Sequence, residues 1–156
     1  MYEAWSEKRA TEIIESHRGQ EGAMLPILHA LQYEFGHVPS AALPMIAEAL
    51  NLSRAEVHGV VTFYHDFRES PAGKHVLKLC RAEACQSMGG EALADGVLKQ
   101  LGVAWGGTTR DNRITVEATY CLGLCACAPA AMLDGEVHGR LGDAGAIDAL
   151  LQEAQR

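Results

Sequence analysis

Four of the five cysteines stand in two close pairs, Cys80 with Cys85 in CRAEAC and Cys121 with Cys125 in CLGLC. A thiolate is a soft metal ligand and a nucleophile toward disulfides, so paired thiols point either to metal binding or to redox exchange. Each pair closes a short loop, and 35 residues separate the two loops. A fold that brings the loops together makes a pocket of four thiolates. Exchange chemistry of the thioredoxin kind depends on C-x-x-C at a helix start, and no such pair occurs.

Four sulfur ligands with no histidine beside them leave structural zinc and an iron-sulfur cluster as the main candidates. Structural zinc favours chelate loops of about two to four intervening residues, and C-x4-C and C-x3-C stand at the edge of that range, so spacing alone does not decide. A [2Fe-2S] cluster carries acid-labile sulfides that must be kept from water, and small or apolar neighbours suit it. Ala82, Ala84, Leu122, Leu124, Ala126 and Pro129 supply them, and Gly123 lets backbone amides come close to sulfur. On the residues alone a [2Fe-2S] cluster is favoured, with zinc and unligated redox thiols still open. Cys127, two residues past a candidate ligand, reads as a small buried apolar residue. Arg81 and Glu83 lie inside the first loop, where the positive Arg81 would favour a reduced, more negative centre.

Other chemistry is missing. The seven histidines form no H-E-x-x-H and flank no ligand cysteine as a Rieske centre requires. No G-x-G-x-x-G or P-loop is present, so the Gly-Gly pairs at 89 and 106 read as turns and any NAD or flavin must bind on another chain. Met24, Met45 and Met88 read as core filling and most of the histidines as structural or exposed, with a face turned toward a partner as the lesser alternative for His58 and His65, a helical repeat apart.

The elements that must position the cysteines follow from periodicity. Ser6 caps a helix to His17 carrying Ala10, Ile13 and Ile14. A second helix runs from Ala23 to Phe35 with Leu25, Leu28, Leu31 and Phe35 on one stripe and Gly36 as its stop. AALPMIAEAL forms a third, ended by Asn51. Ser53 and Glu56 form a capping box that opens a fourth helix to about Phe67, with Val57, Val60, Val61 and Tyr64 buried. Pro71 and Gly73 mark a change of pattern. His75 to Leu79 reads as a buried strand leading into Cys80. A helix from the Gly89-Gly90 pair to Leu101 follows, carrying Leu93, Val97 and Leu101. A half-buried strand from Ile114 to Tyr120, with Ile114, Val116, Ala118 and Tyr120 inward, delivers Cys121. Met132 to Val137 form a hairpin around Asp134-Gly135, and Asp143 caps a last helix with Ile147, Leu150 and Leu151. The sum is an α+β chain: an N-terminal helical bundle over residues 1–72, then a thioredoxin-like α/β domain over residues 73–156 that holds the cluster.

The stretch IAEALNLSRAEVHGVVTFY also has the outline of a helix-turn-helix DNA reader. Charge opposes it, because the chain carries a net −7 and its would-be recognition helix offers Arg54, Glu56, His58 and Thr62. An acidic surface also argues against anionic lipid, which leaves proteins as the expected partners. The start, MYEAWSEKRATEII, lacks the apolar stretch of a signal peptide, and no apolar run approaches the ~18 residues of a membrane span. The reading is a soluble cytoplasmic protein with neither nucleic acid nor membrane as partner.

GHVPSAALPMIAEALNLSRAEVHGVVTFYHDF, CRAEACQSMGG and YCLGLCACAPAAMLDGEVHGRL resemble the small [2Fe-2S] subunit of NADH dehydrogenase modules, the 24 kDa subunit family of respiratory complex I. The resemblance spans nearly the whole chain. Within that family, CRAEACQSMGG and CLGLCACAPAAM look most like the gamma subunit of cytoplasmic, molybdenum- or tungsten-dependent, NAD-linked formate dehydrogenases. It implies Cys80, Cys85, Cys121 and Cys125 as cluster ligands, with Cys127 outside the pattern. It also implies a one-electron role beside the FMN of an NAD-binding flavoprotein subunit, in a complex with a molybdenum- or tungsten-containing large subunit. The alternatives are the equivalent subunit of an NADH:quinone oxidoreductase or NAD-linked hydrogenase, and, further off, a zinc-stabilised adaptor or DNA-binding regulator. On this reading the chain is a non-catalytic subunit of an oxidoreductase.

Overall fold

A computed structural model describes residues 2–155, which divide between Pro71 and Ala72 into two compact units. The first is helical throughout, with α1 (Glu7–His17), α2 (Met24–Phe35), α3 (Ala42–Leu50) and α4 (Arg54–Phe63). The Ser6 hydroxyl accepts the Arg9 amide at the start of α1. Gly36 and Asn51 end α2 and α3 in the left-handed conformation that releases the chain from a helix. Ile13, Ile14, Ile27, Leu28, Leu31, Phe35, Ile46 and Val57 fill the core between the helices. The Arg9 guanidinium bridges α1 to Glu34 of α2, with Nε 2.6 Å from a carboxylate oxygen.

The capping box at α4 forms as its residues dictate: the Ser53 hydroxyl accepts the Glu56 amide at 3.2 Å and the Glu56 carboxylate accepts the Ser53 amide at 2.8 Å. The helix then stops at Phe63, not Phe67, and Tyr64 is extended and exposed instead of buried. The cause is tertiary. The Gln32 side chain of α2 donates to the Asp66 carbonyl and accepts the Arg68 amide, both at 2.7 Å, and this clamp pulls the chain off the helix and turns Phe67 into the core. His65 therefore lies beyond α4 and shares no helical face with His58, although both are exposed.

The second unit is a four-stranded mixed sheet in the order β2-β1-β3-β4, built from β1 (His75–Cys80), β2 (Ile114–Thr119), β3 (Ala131–Leu133) and β4 (Glu136–His138). Strands β1 and β2 run parallel, and β3 is antiparallel to both β1 and β4. Parallel neighbours need a crossover, which α5 (Glu83–Ser87) and α6 (Gly90–Leu101) provide, and α7 (Ala146–Ala154) closes the chain. Leu77, Leu79, Ile114, Val116, Leu133, Val97 and Leu151 make the core. The β3-β4 hairpin turns on Asp134 and Gly135, both at positive φ as a two-residue turn of this hand requires. The Asp134 carboxylate accepts the Val76 amide at 2.8 Å and lies 2.6 Å from Nδ1 of His75.

Four local expectations fail in this unit. Thr115 is buried because its hydroxyl accepts the Gly73 amide and meets the Thr108 hydroxyl, each at 2.7 Å. Tyr120 is 71% exposed, since β2 ends at Thr119 and the alternation ends with it. Met88 is 62% exposed, at the turn between α5 and α6 and outside any core. Asp143 does not cap α7: Gly145 occupies that position and Asp143 contributes only its carbonyl, to the Ala146 amide. Among the described residues no helix is long and apolar enough to cross a membrane.

Gly96, exposed in the interior of α6, has nothing within 4 Å of where a Cβ would stand. Glycine there costs backbone entropy without serving a contact. Gly96→Ala should therefore stabilise the second unit by about 0.5–1 kcal/mol, read as a higher urea midpoint.

Candidate metal centre

Cys80 is the last residue of β1, in register with Thr119, the last residue of its parallel neighbour β2. Two parallel strands end on the same side of a sheet, so the loops that follow them emerge together, and Cys121 leaves β2 beside Cys80. The Arg81 amide donates to the Thr119 carbonyl at 2.8 Å, extending the pairing one step into the first loop. That loop folds into the single turn of α5, which carries Cys85, and Gln86 ties it back by donating to the Arg81 carbonyl at 2.7 Å. In the second loop Cys121 and Gly123 both adopt positive φ, and a 3-10 turn follows at Cys125–Cys127.

The four sequence-chosen cysteines come together as two pairs. Cys80 and Cys85 are buried, in a small apolar cluster with Ala130, Ala82, Leu122, Leu124 and Ala128. Cys121 and Cys125 form the outer pair, exposed, with their sulfurs 3.7 Å apart. Two thiolates bound at about 2.3 Å to one tetrahedral metal stand about 3.8 Å apart, so the outer pair already has the separation of two ligands on one ion. Two thiol pairs, one inside and one outside, suit a centre with two irons.

Electrostatics divide the pairs further. Burial opposes ionisation of Cys80, but the amide of Ala82, the Cys85 thiol and the amides of Cys121 and Leu122 together outweigh it and hold its pKa below the usual thiol value. Burial pushes the Cys85 thiol up, and its hydrogen bond to Cys80 adds to the rise against the opposing Ala130 amide. Cys125 is raised chiefly by its hydrogen bond to Cys121 and by the charge there. Amides aimed at sulfur are the groups that stabilise thiolate charge, whether it is held by a metal or gained on reduction.

Some expected lining residues are in place and others are not. Ala82, Leu122 and Leu124 wall the inner pair, and Pro129 is buried nearby, but Ala126 is exposed. Cys127 is half-buried, its amide on the Leu124 carbonyl and its carbonyl accepting the Arg140 amide at 2.6 Å. The Arg81 guanidinium lies over the Trp105 ring, 5.0 Å from its centroid. Ala130 was missed by sequence reasoning. Its carbonyl accepts the Cys80 amide at 3.0 Å while its own amide points at the Cys85 sulfur, so one residue's backbone holds both inner cysteines. No residue type marks such a role, because it is carried by backbone alone.

Residues 10–155 match the family described as thioredoxin-like [2Fe-2S] ferredoxin. A subunit of the NADH-quinone oxidoreductase of Pseudomonas aeruginosa is 38% identical over 117 residues, 75% of this chain and 70% of that one. Its namesake from Rhizobium meliloti is 37% identical over 133 residues, 85% of this chain and 79% of its own. The NAD-reducing hydrogenase HoxS subunit alpha of Cupriavidus necator is 30% identical over 149 residues, which are 96% of this chain but 25% of that subunit. A crystal structure of an air-oxidized NAD+-reducing [NiFe]-hydrogenase superposes with a TM-score of 0.72 at 30% identity, over 90% of this chain and 24% of that one. This chain therefore spans about a quarter of each of those two hydrogenase chains. With the family matched along almost the whole chain, the chain belongs to the thioredoxin-like [2Fe-2S] ferredoxin family and its cofactor is a [2Fe-2S] cluster.

Proposed function

We propose that this chain is the one-electron subunit of an NAD-linked oxidoreductase, holding its [2Fe-2S] cluster on Cys80, Cys85, Cys121 and Cys125 beside the FMN of a flavoprotein subunit. The observation that carries the reading is the convergence of those four thiols, in two pairs, at the ends of parallel β1 and β2. When bound, the cluster supplies reversible uptake of single electrons. The chain's own residues do the rest. Cys80 and Cys85 anchor the inner side behind an apolar wall that keeps water from the sulfides, and the amides of Ala82, Cys121, Leu122 and Ala130 offset thiolate charge. Cys121 and Cys125, exposed, put the outer side within reach of a partner's cofactor.

The complex we favour is a cytoplasmic NAD-dependent formate dehydrogenase with a molybdenum- or tungsten-containing large subunit, in which this chain is the gamma subunit. CRAEACQSMGG and CLGLCACAPAAM support that assignment. The relatives from an NADH-quinone oxidoreductase and an NAD-reducing hydrogenase support either of those complexes equally well. Affinity purification of the chain with its natural partners distinguishes them. Molybdenum or tungsten in the complex, with formate-dependent NAD reduction, is the expected result. Nickel with hydrogen-dependent reduction, or membrane subunits with quinone reduction, would replace the formate assignment. A colourless chain containing zinc would remove the electron-transfer reading altogether.

A further inference from the structure

Two glycines press on the ligand loops, one on each. Gly90, the buried first residue of α6, lies so close to Cys85 that a Cβ on it would meet the Cys85 carbonyl oxygen at 2.5 Å, the carbonyl carbon at 2.9 Å and Cβ at 3.3 Å. Gly139, just past β4, lies against the second loop, where a Cβ would meet Cys127 Cβ at 2.8 Å and the Cys127 carbonyl oxygen at 3.0 Å. Carbon atoms in favourable contact stand about 3.5–4.0 Å apart, so the closest approach at each glycine, 2.5 Å at Gly90 and 2.8 Å at Gly139, is well inside contact. Neither glycine has positive φ. Each site needs glycine for the missing Cβ and not for backbone freedom.

If a side chain is forced in, the softer partner moves. Helix α6 has 12 residues and is anchored in the sheet core by Ala94 and Val97, whereas α5 has five and buries only Cys85. A methyl group at Gly90 therefore displaces α5, and Cys85 with it. At Gly139 the contrast is between a strand-bonded segment and a single 3-10 turn. β4 is paired with β3 up to His138, while Cys125–Cys127 is held by the Cys127 amide on Leu124 and the Arg140 amide on Cys127. The turn yields, and it carries Cys125.

We infer that Gly90 and Gly139 are positioning residues for the cluster, each leaving out the Cβ that would keep one ligand loop, at Cys85 and at Cys125, from closing to bonding distance. This rests on the assignment of Cys80, Cys85, Cys121 and Cys125 as ligands. Groups that orient metal ligands typically change metal affinity by about 10–100-fold when altered, and a site displaced by about 0.5 Å loses its productive geometry.

The test uses the full chain purified without oxygen, with iron and sulfide content, the EPR g-values of the reduced cluster, its reduction potential and far-UV melting measured on each variant. Gly90→Ala and Gly139→Ala should shift the g-values and potential and lose iron several-fold faster in air, with melting close to that of wild type. Gly96→Ala, in the open part of α6, should leave the cluster signals unchanged. Wild-type g-values, potential and iron retention in both loop variants would overturn the proposal. If either variant melts early or fails to fold, Gly139→Ala combined with Cys127→Gly decides on the steric mechanism, because removing the Cys127 Cβ abolishes the closest contact, at 2.8 Å, and leaves only the 3.0 Å approach to the carbonyl oxygen. Recovery of the wild-type spectrum in that pair supports the steric mechanism, and no recovery overturns it. Cys85→Ser and Cys125→Ser keep the two readings separate: a wild-type cluster in either one refutes the ligand assignment whatever the glycine variants show.

Discussion

Cys125→Ser should abolish most of the visible absorption of the cluster, while Cys127→Ser should keep it, although the two cysteines are two residues apart. The geometry separates them. The Cys125 sulfur stands 3.7 Å from that of Cys121, the spacing of two ligands on one metal, whereas Cys127 is half-buried with its Cβ packed toward Gly139. The 3-10 turn between them makes the difference, because two residues advance the chain by about two-thirds of its three-residue turn and carry the next side chain off the metal side. Serine oxygen is a poorer ligand for iron than thiolate, so loss at Cys125 should appear as bleaching on purification in air and as iron content well below that of wild type. Strong bleaching in Cys127→Ser with colour retained in Cys125→Ser would reassign the fourth ligand to Cys127.

Leu77→Ala should be the most damaging substitution in the sheet. Leu77 is 0% exposed on the central strand β1, with Val116 of β2 opposite it on one side and Leu133 of β3 on the other. Truncating a fully buried leucine costs about 2–5 kcal/mol, since the transfer energy is lost and the surrounding strands cannot collapse into the space. Domains of ordinary stability have about 5–15 kcal/mol in total, so the loss is a large share of what holds β1 beside β2. Cys80 and Cys121 depend on that pairing for their proximity. Cluster loss should therefore accompany sheet unfolding in urea, with the visible and far-UV transitions moving together to lower denaturant. Val137→Ala, on the 49% exposed edge of the hairpin, should change stability by less than about 0.5 kcal/mol and serves as the comparison. A Leu77→Ala variant with a wild-type midpoint would mean that the sheet core is not what holds the loops together.

Local signals carried most of the secondary structure. Ser6, Gly36, Asn51 and the Ser53–Glu56 box mark helix ends because each acts on backbone groups within a turn of itself, and Asp134-Gly135 sets the hairpin for the same reason. Where a distant group intervened, periodicity misled. Gln32 reaches across 34 residues to end α4 early, and the buried hydroxyl of Thr115 reaches across 42 to the Gly73 amide. The short helix α5, with five residues, has no room for a periodic pattern and leaves no mark in the sequence.

For the site, the residue types and their spacing by themselves singled out the four thiols that the structure brings together, since C-x4-C and C-x3-C need no fold to be seen and thiolate softness favours iron or zinc. Family membership was equally legible, through motifs spread along nearly the whole chain. Only the tertiary structure decided that the thiols meet as a buried pair and an exposed pair, that the Ala130 backbone serves both inner cysteines, and that Gly90 and Gly139 press on the two loops with no Cβ. Those features depend on the parallel pairing of β1 with β2 and on backbone groups and absent atoms, and a sequence records side chains in order, not the distances between chain segments that packing brings together.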